Sequence, residues 1–405
     1  MRRIYFDHAA TTPLDPRVFE AMLPYLKDHY GNASSVHALG RKARFAVEES
    51  RERIAGHLGA EPGEVIFTSG GTEANNAALH GMLGGARRHL VTSTAEHEAV
   101  LRPAEMMAKV GHPVTLLHPE PSGAVAPEQV EAALTEETGL VSLMHANNEL
   151  GTLTPIPAMA EICHARGIPL HCDAVQTAGL FKLNVEALGV DLMTLSGHKI
   201  YGPKGVGVLY VRGGLDFAPF VVGGAQERRR RGGTENVAAI VGMASAFDLA
   251  VAEADERVAH LTALRDRLCT QLRQSLGETF VFNTPVEAGA SVAPHIVNIA
   301  FPPRDGVPLD GEMLLLNLDM EGVMASAGSA CTSGALEPSH VLLAIGRDRA
   351  TASASVRFSL GKDNTDDDVD EAVERLATIL RRMRQSRSVA AGRPASDWMA
   401  DSELS

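Results

Sequence analysis

The 405 residues are 45% hydrophobic and 21% charged, the balance of an ordinary soluble globular protein, and the formal net charge of −13 leaves no global field to draw nucleic acid. The 4 cysteines form no C-x-x-C pair, which argues against a zinc ribbon or a thioredoxin-like motif and suits a reducing cytoplasm. The N-terminus Met-Arg-Arg-Ile-Tyr-Phe-Asp has no apolar h-region, and no apolar run approaches ~18 residues, so neither secretion nor a membrane span is expected.

In chain order, residues 5–16 read as a short strand and then an extended segment punctuated by Pro13 and Pro16. Arg17 to Leu26 and Gly40 to Leu58 have helical patterns, with a loop at Gly31-Asn-Ala-Ser-Ser between them. A regular alternation begins at Val65. Strands are expected at 65–68, 90–93, 114–117, 140–144, 168–172, 192–195 and 206–211, with helices between most of them. Short continuous apolar runs of this kind mark a mostly parallel sheet of seven strands, buried on both faces. One long, charge-laced helix is expected over Ala246 to Leu276. Strands at His295 to Phe301 and Ser355 to Leu360, with helices around them, form a smaller C-terminal α/β unit. The fold class is therefore α/β. The large domain is assigned to 16–258, the small one to 1–15 with 259–385, and a flexible tail to 386–405.

Ligands of such sheets bind beyond the carboxyl ends of the strands, so the residues at those ends matter most. Ser69-Gly70-Gly71-Thr72 opens a helix after the first sheet strand. Its backbone N–H groups favour an anion, although a plain strand-to-helix turn with a threonine cap would look the same. His97 follows the next strand, at a helix start where a histidine is commonly a cap. Asn147 and Asn148 end a third strand and could be no more than a turn. Asp173 ends a fourth and needs a cationic or donor partner, unless it caps a helix; Gln176 follows it. Lys199 lies in Ser196-Gly-His198-Lys-Ile-Tyr-Gly-Pro-Lys-Gly, a glycine-bounded turn between two buried strands. It is either a solvated loop lysine or a desolvated, nucleophilic one, and Ser196 and His198 beside it suit a phosphate oxygen. Cys331 sits among small residues in Met324-Ala-Ser-Ala-Gly-Ser-Ala-Cys331-Thr-Ser-Gly, a setting for a mobile, accessible thiol. Arg357, alone in a strand pattern, is a solvent-facing edge arginine or a carboxylate clamp. The run Arg228 to Arg231 reads as a solvated loop.

Taken together, from Tyr5 to about Leu360, these motifs resemble the pyridoxal-phosphate enzymes of the class V aminotransferase group. The Cys331 loop most closely resembles that of the longer-loop cysteine desulfurases. The resemblance implies the fold type I of aspartate aminotransferase-like enzymes and a homodimer. It implies that Gly71, Thr72, Ser196 and His198 bind the cofactor phosphate, with Thr234 reaching it from a partner subunit. His97 would stack on the ring and help move protons, Asn148 would lie beside ring and substrate, and Asp173 and Gln176 would hold the ring nitrogen and oxygen. Lys199 would form the Schiff base and remove the α-proton of L-cysteine, Arg357 would take the substrate carboxylate, and Cys331 would accept the sulfur as a persulfide. The products would be L-alanine and sulfur for an iron–sulfur scaffold or another acceptor protein. No metal is expected beyond transient cluster ligation by Cys331. A selenocysteine lyase, a related class V aminotransferase, or a non-catalytic scaffold that kept the fold are the alternatives.

Overall fold

The computed structural model describes residues 2–328 and 337–390. It begins with β1 (Ile4–Tyr5), α1 (Pro16–Lys27), α2 (Ala38–Leu58), β2 (Val65–Thr68), α3 (Gly71–Leu83), β3 (His89–Ser93), α4 (Glu98–Lys109) and β4 (Val114–Leu117). It continues with α5 (Pro127–Ala133), β5 (Thr138–Met144), α6 (Ile156–His164), β6 (Leu170–Asp173), α7 (Val185–Leu188), β7 (Leu192–Ser196), β8 (Gly207–Val211), α8 (Val237–Ala252) and α9 (Ala254–Leu276). The last third holds β9 (Val281–Phe282), β10 (Ile296–Ala300), α10 (Gly311–Met320), β11 (Val323–Met324), α11 (His340–Ala344), α12 (Arg349–Ser353), β12 (Ser355–Ser359) and α13 (Asp366–Ala390).

Seven strands form one sheet in the order β2-β8-β7-β6-β5-β3-β4. Only β8 runs antiparallel to its neighbours, so the carboxyl ends of β2, β3, β5, β6 and β7 share one edge. Side chains alternate across the pleat. Val65 and Phe67 join the layer that contains α1, α2, α6 and α8, while Ile66 joins the layer of α3 and α4. Both faces are thus covered, which is why these strands read as unbroken apolar runs.

A second core gathers α9, α10 and α13 around the antiparallel sheet β12-β10-β9. Ile4 and Phe6 pack into it, because β1 pairs in parallel with β11 at Ile4↔Val323 and Tyr5↔Met324. The long helix expected from Ala246 is in fact two. The chain enters α8 at Val237, breaks at Glu253 and turns by 70° into α9. Glu253 accepts salt bridges from Arg17 at 2.7 Å and from Arg257 at 3.0 Å, which fix the corner against α1. Helix α13 continues through Ala390, past the point where the tail was expected to start, and residues 391–405 lie outside the described residues. Among the described residues no single helix is long and apolar enough to cross a membrane; α8 and α9 pass that test only together, across their bend.

Glu227, Arg228 and Arg229 are consecutive non-glycine residues with φ of 45°, 55° and 66°. Left-handed backbone of this kind costs on the order of 1–2 kcal/mol per residue. A buried ion pair offsets it: Arg51 on α2 donates to both oxygens of Glu227 at 2.7 and 2.8 Å, and the Phe67 N–H donates to the same carboxylate at 2.9 Å. The basic run is therefore less solvated than expected. Arg228 and Arg230 donate to the carbonyls of Pro62 and Gly63, and Arg231 pairs with Glu73 at 2.9 Å. Glu227→Ala strands Arg51 in the core and is expected to lower stability by about 3–5 kcal/mol in urea unfolding.

His171 on β6 is fully buried and bridges neighbouring strands, to Ser142 Oγ at 2.8 Å and Thr194 Oγ1 at 3.0 Å. Burial lowers its pKa to about 4. The unfolded chain, with an ordinary histidine near 6.5, therefore binds a proton that the folded chain refuses between these values. Its contribution to stability is full above pH 6.5 and is lost as pH falls towards 4. Unfolding free energy is expected to drop by roughly 2 kcal/mol on this account between pH 7 and pH 5, and by less in His171→Gln.

Candidate active site

The shared strand edge opens onto a cavity of about 280 Å³. Lys199 follows β7 in a single 3₁₀ turn. Its amine donates to the carbonyls of Ala9 and Ala10. Desolvation, helped by the nearby Arg357 charge, lowers its pKa to about 8. The N-terminal segment straps this turn in place. Thr12 donates through N–H and Oγ1 to the His198 carbonyl, both at 2.9 Å, and its Oγ1 accepts from the Tyr201 N–H at 2.8 Å. Tyr201 is itself left-handed at φ 63°, held with the Lys362 ammonium 4.6 Å above its ring.

Asp173 ends β6 and faces the cavity with most of its surface buried. Its Oδ2 accepts from Asn75 Nδ2 at 2.7 Å, and its Oδ1 accepts from the Val175 N–H at 3.0 Å. Asp173 therefore caps no helix: its Oδ1 closes a turn at Val175, and the rest of the carboxylate faces the cavity. Gln176 donates to the Ala9 carbonyl at 3.0 Å. Gly71 and Thr72 line the cavity at the amino end of α3. The preceding Gly70 has φ 151° and ψ −178°, a conformation open only to glycine, and a Cβ on Gly207 would come within 2.7 Å of it. A Cβ on Gly71 would come 3.1 Å from Val175 and 3.6 Å from Ser196, narrowing the cup. Ser196 Oγ is buried and has no partner among the described residues, while His198 contacts Thr11 Oγ1 at 3.2 Å and burial lowers its pKa to about 4.

His97 caps α4, its Nδ1 accepting from the Ala99 N–H at 3.0 Å. The side chain lines the cavity and is exposed there, and the desolvation it still meets from the surrounding protein lowers its pKa. The adjacent amides divide the work. Asn147 ties the turn together, donating to the Ala95 carbonyl and accepting from the Glu149 and Leu150 N–H groups. Asn148 lines the cavity, with an Oδ1 that has no partner among the described residues.

Gly71, Thr72, His97, Asn148, Asp173, Gln176, Ser196, His198 and Lys199 are thus brought to one cavity. Arg357 is buried on β12 instead, donating to the Asn148 carbonyl at 2.7 Å and to Asp7 at 3.0 Å, with no partner for Nε among the described residues. Thr234 is exposed and does not line its own chain's cavity. Cys331 lies outside the described residues. Sequence reasoning passed over Asn75, the partner of Asp173, although it lies three residues after Thr72. It also passed over Glu96, whose Oε1 accepts from the Met144 N–H at 3.0 Å and whose burial, with Asp173 adding, raises its carboxyl well above the usual range.

The donor set could hold a phosphorylated ring. Ser196 Oγ, His198 and the α3 amides offer donors to a phosphate, and the Asp173 carboxylate could hold a protonated ring nitrogen. Among the described residues no group of three or more His, Cys, Asp or Glu side chains is placed to hold a metal ion.

The family model for class V aminotransferases matches residues 4–372. The cysteine desulfurase IscS of Dictyoglomus turgidum is 45% identical over 386 residues, spanning 95% of this chain and 96% of its own. A solved NifS-like protein superposes with a TM-score of 0.86 at 36% identity, covering 94% of this chain and 100% of its own. A solved structure described as SspA in complex with cysteine gives a TM-score of 0.75 at 34% identity, covering 88% of this chain and 98% of its own.

Proposed function

Because this chain belongs to the class V aminotransferase family and, within it, to the pyridoxal-phosphate-dependent cysteine desulfurases, we propose that its cavity takes L-cysteine and that Cys331 receives the sulfur. The observation that carries the reading is a depressed lysine amine and a fixed carboxylate, Lys199 and Asp173, lining one cavity at the strand ends. When bound, pyridoxal phosphate supplies a carbonyl for amines and a ring that takes up an electron pair.

Ser196, His198 and the amides of Gly71 and Thr72 would hold the phosphate. Asp173, fixed by Asn75, would keep the ring nitrogen protonated, and Gln176 would donate to the ring oxygen. His97 would contact the ring and move protons, and Asn148 would contact ring and substrate. Arg357 binds the substrate carboxylate, and its partnerless Nε supports that role. Lys199 removes the α-proton. With a pKa of about 8, about one amine in ten is neutral at pH 7, against roughly one in 3,000 for an ordinary lysine. The Cys331 thiolate then forms an S–S bond to the substrate sulfur as the C–S bond breaks. The remaining carbon skeleton gains protons and leaves as L-alanine. The persulfide passes to an iron–sulfur scaffold or another acceptor protein.

We further place the protein in the cytoplasm, off membranes and nucleic acid, as a homodimer. Thr234 serves the partner's phosphate, which its exposure supports. The exposed Phe19, Leu26, Tyr30, Val36 and Phe45, on α1, α2 and the loop between them, support a covered face. The free state of Cys163, Cys172 and Cys269 suits a reducing compartment.

The test is product analysis with L-cysteine and a reductant. Equal amounts of L-alanine and sulfide are expected. A keto acid in place of alanine, or turnover of selenocysteine alone, would overturn the assignment.

A further inference from the structure

Lys199 and Gln176 also line a second, smaller space of about 30 Å³, whose other walls include His8, Arg257, Leu180 and His295. This is room for about one or two water molecules. His8, Arg257 and His295 are each more than nine-tenths buried, yet His8 Nδ1, Arg257 Nε and His295 Nδ1 have no partner among the described residues. The His295 tautomer follows from its neighbours. Gln176 donates its Nε2 to the Ala9 carbonyl, so its Oε1 accepts, and His295 Nε2, 3.3 Å away, must carry the hydrogen. Nδ1 is then a bare acceptor. The same Ala9 carbonyl accepts from Lys199, which links His295 through Gln176 to the amine.

The three residues that carry these unpartnered atoms all line one water-sized space, and two imidazole acceptors with one guanidinium N–H match the bonding needs of one water molecule. We propose that this space holds a water that accepts from Arg257 and donates to His8 and His295, and that it exchanges protons with Lys199 while substrate fills the main cavity. In that exchange an N–H bond of the Lys199 ammonium breaks and an O–H bond forms on the water. One of the water's own O–H bonds breaks as its proton returns to the amine, so hydrogens are swapped, no charge is left on either imidazole, and the starting state is restored. The abstracted α-hydrogen is thereby diluted into a small pool before a proton is returned to carbon. His8 and His295 are positioning residues here, acting through the water. The inference rests on the role proposed for Lys199.

The test uses the holoenzyme and two variants. His295→Leu removes an acceptor, and Leu180→Phe fills the space from another wall without touching either imidazole. A crystal structure of the wild type is expected to show ordered water within hydrogen-bond reach of His295 Nδ1, absent from both variants. Exchange of the L-alanine α-hydrogen in D₂O is expected to slow roughly 10-fold in both, with KM for L-alanine retained. His295→Asn, which restores an acceptor, should recover most of the rate. A dry space in the wild type, or wild-type exchange in both folded variants, would overturn the proposal. A wild type that exchanges no α-hydrogen would remove the Lys199 role, and this proposal with it.

Discussion

Replacing Lys199 with alanine is expected to leave a folded protein that takes up pyridoxal phosphate without covalent attachment and loses at least about 10³-fold of its turnover. The fold should survive, because among the described residues the amine donates to the Ala9 and Ala10 carbonyls alone and the strap through Thr12 bonds to the turn's backbone. The ring pocket should survive too, since Asp173 is fixed by Asn75 and the Val175 N–H rather than by the lysine. What disappears is the partly buried amine at the cavity whose pKa is brought to about 8. Visible absorbance and borohydride trapping check the outcome. A covalent lysine adduct in the variant would place the attachment elsewhere.

Replacing Cys331 with serine is expected to leave the cofactor bound and to abolish sulfide release from L-cysteine. A hydroxyl cannot take the place of a thiolate in attack on sulfur, and the other cysteines are poor substitutes. Cys163 and Cys172 are fully buried in the main core, and Cys269 is packed in the second. Burial pushes the Cys163 thiol up to about 12, Cys269 up to about 11, and Cys172 well above its ordinary range. None can present a thiolate near neutral pH. Undiminished sulfide release from the variant would move the nucleophile to another residue.

Much of the architecture was legible because its causes are local. The apolar runs at Val65 and Leu192 are strands buried on both faces, and a polar residue directly after such a run, Asp173 or Ser196, stands at the cavity. Interactions between distant segments were not legible. The pairing of Ile4 with Val323 leaves no periodic signal in so short a strand. The corner at Glu253 arises from Arg17, far away in the chain, and not from a proline or glycine at the break. The left-handed turn at Glu227 to Arg229 needs the guanidinium of Arg51 on another helix to hold it. Arg357 shows both sides of the problem. Its strand was readable from the apolar pattern, but its burial depends on Asp7 and the Asn148 carbonyl, which only the folded chain brings to it.

The central claim is that a substrate sulfur leaves this cavity on one thiol. Peptide mass spectrometry of the wild-type holoenzyme after a brief exposure to L-cysteine reads that directly. One added sulfur on the peptide containing Cys331 is the predicted result. Added sulfur on the peptides of Cys163, Cys172 or Cys269, or on none while alanine accumulates, would contradict it.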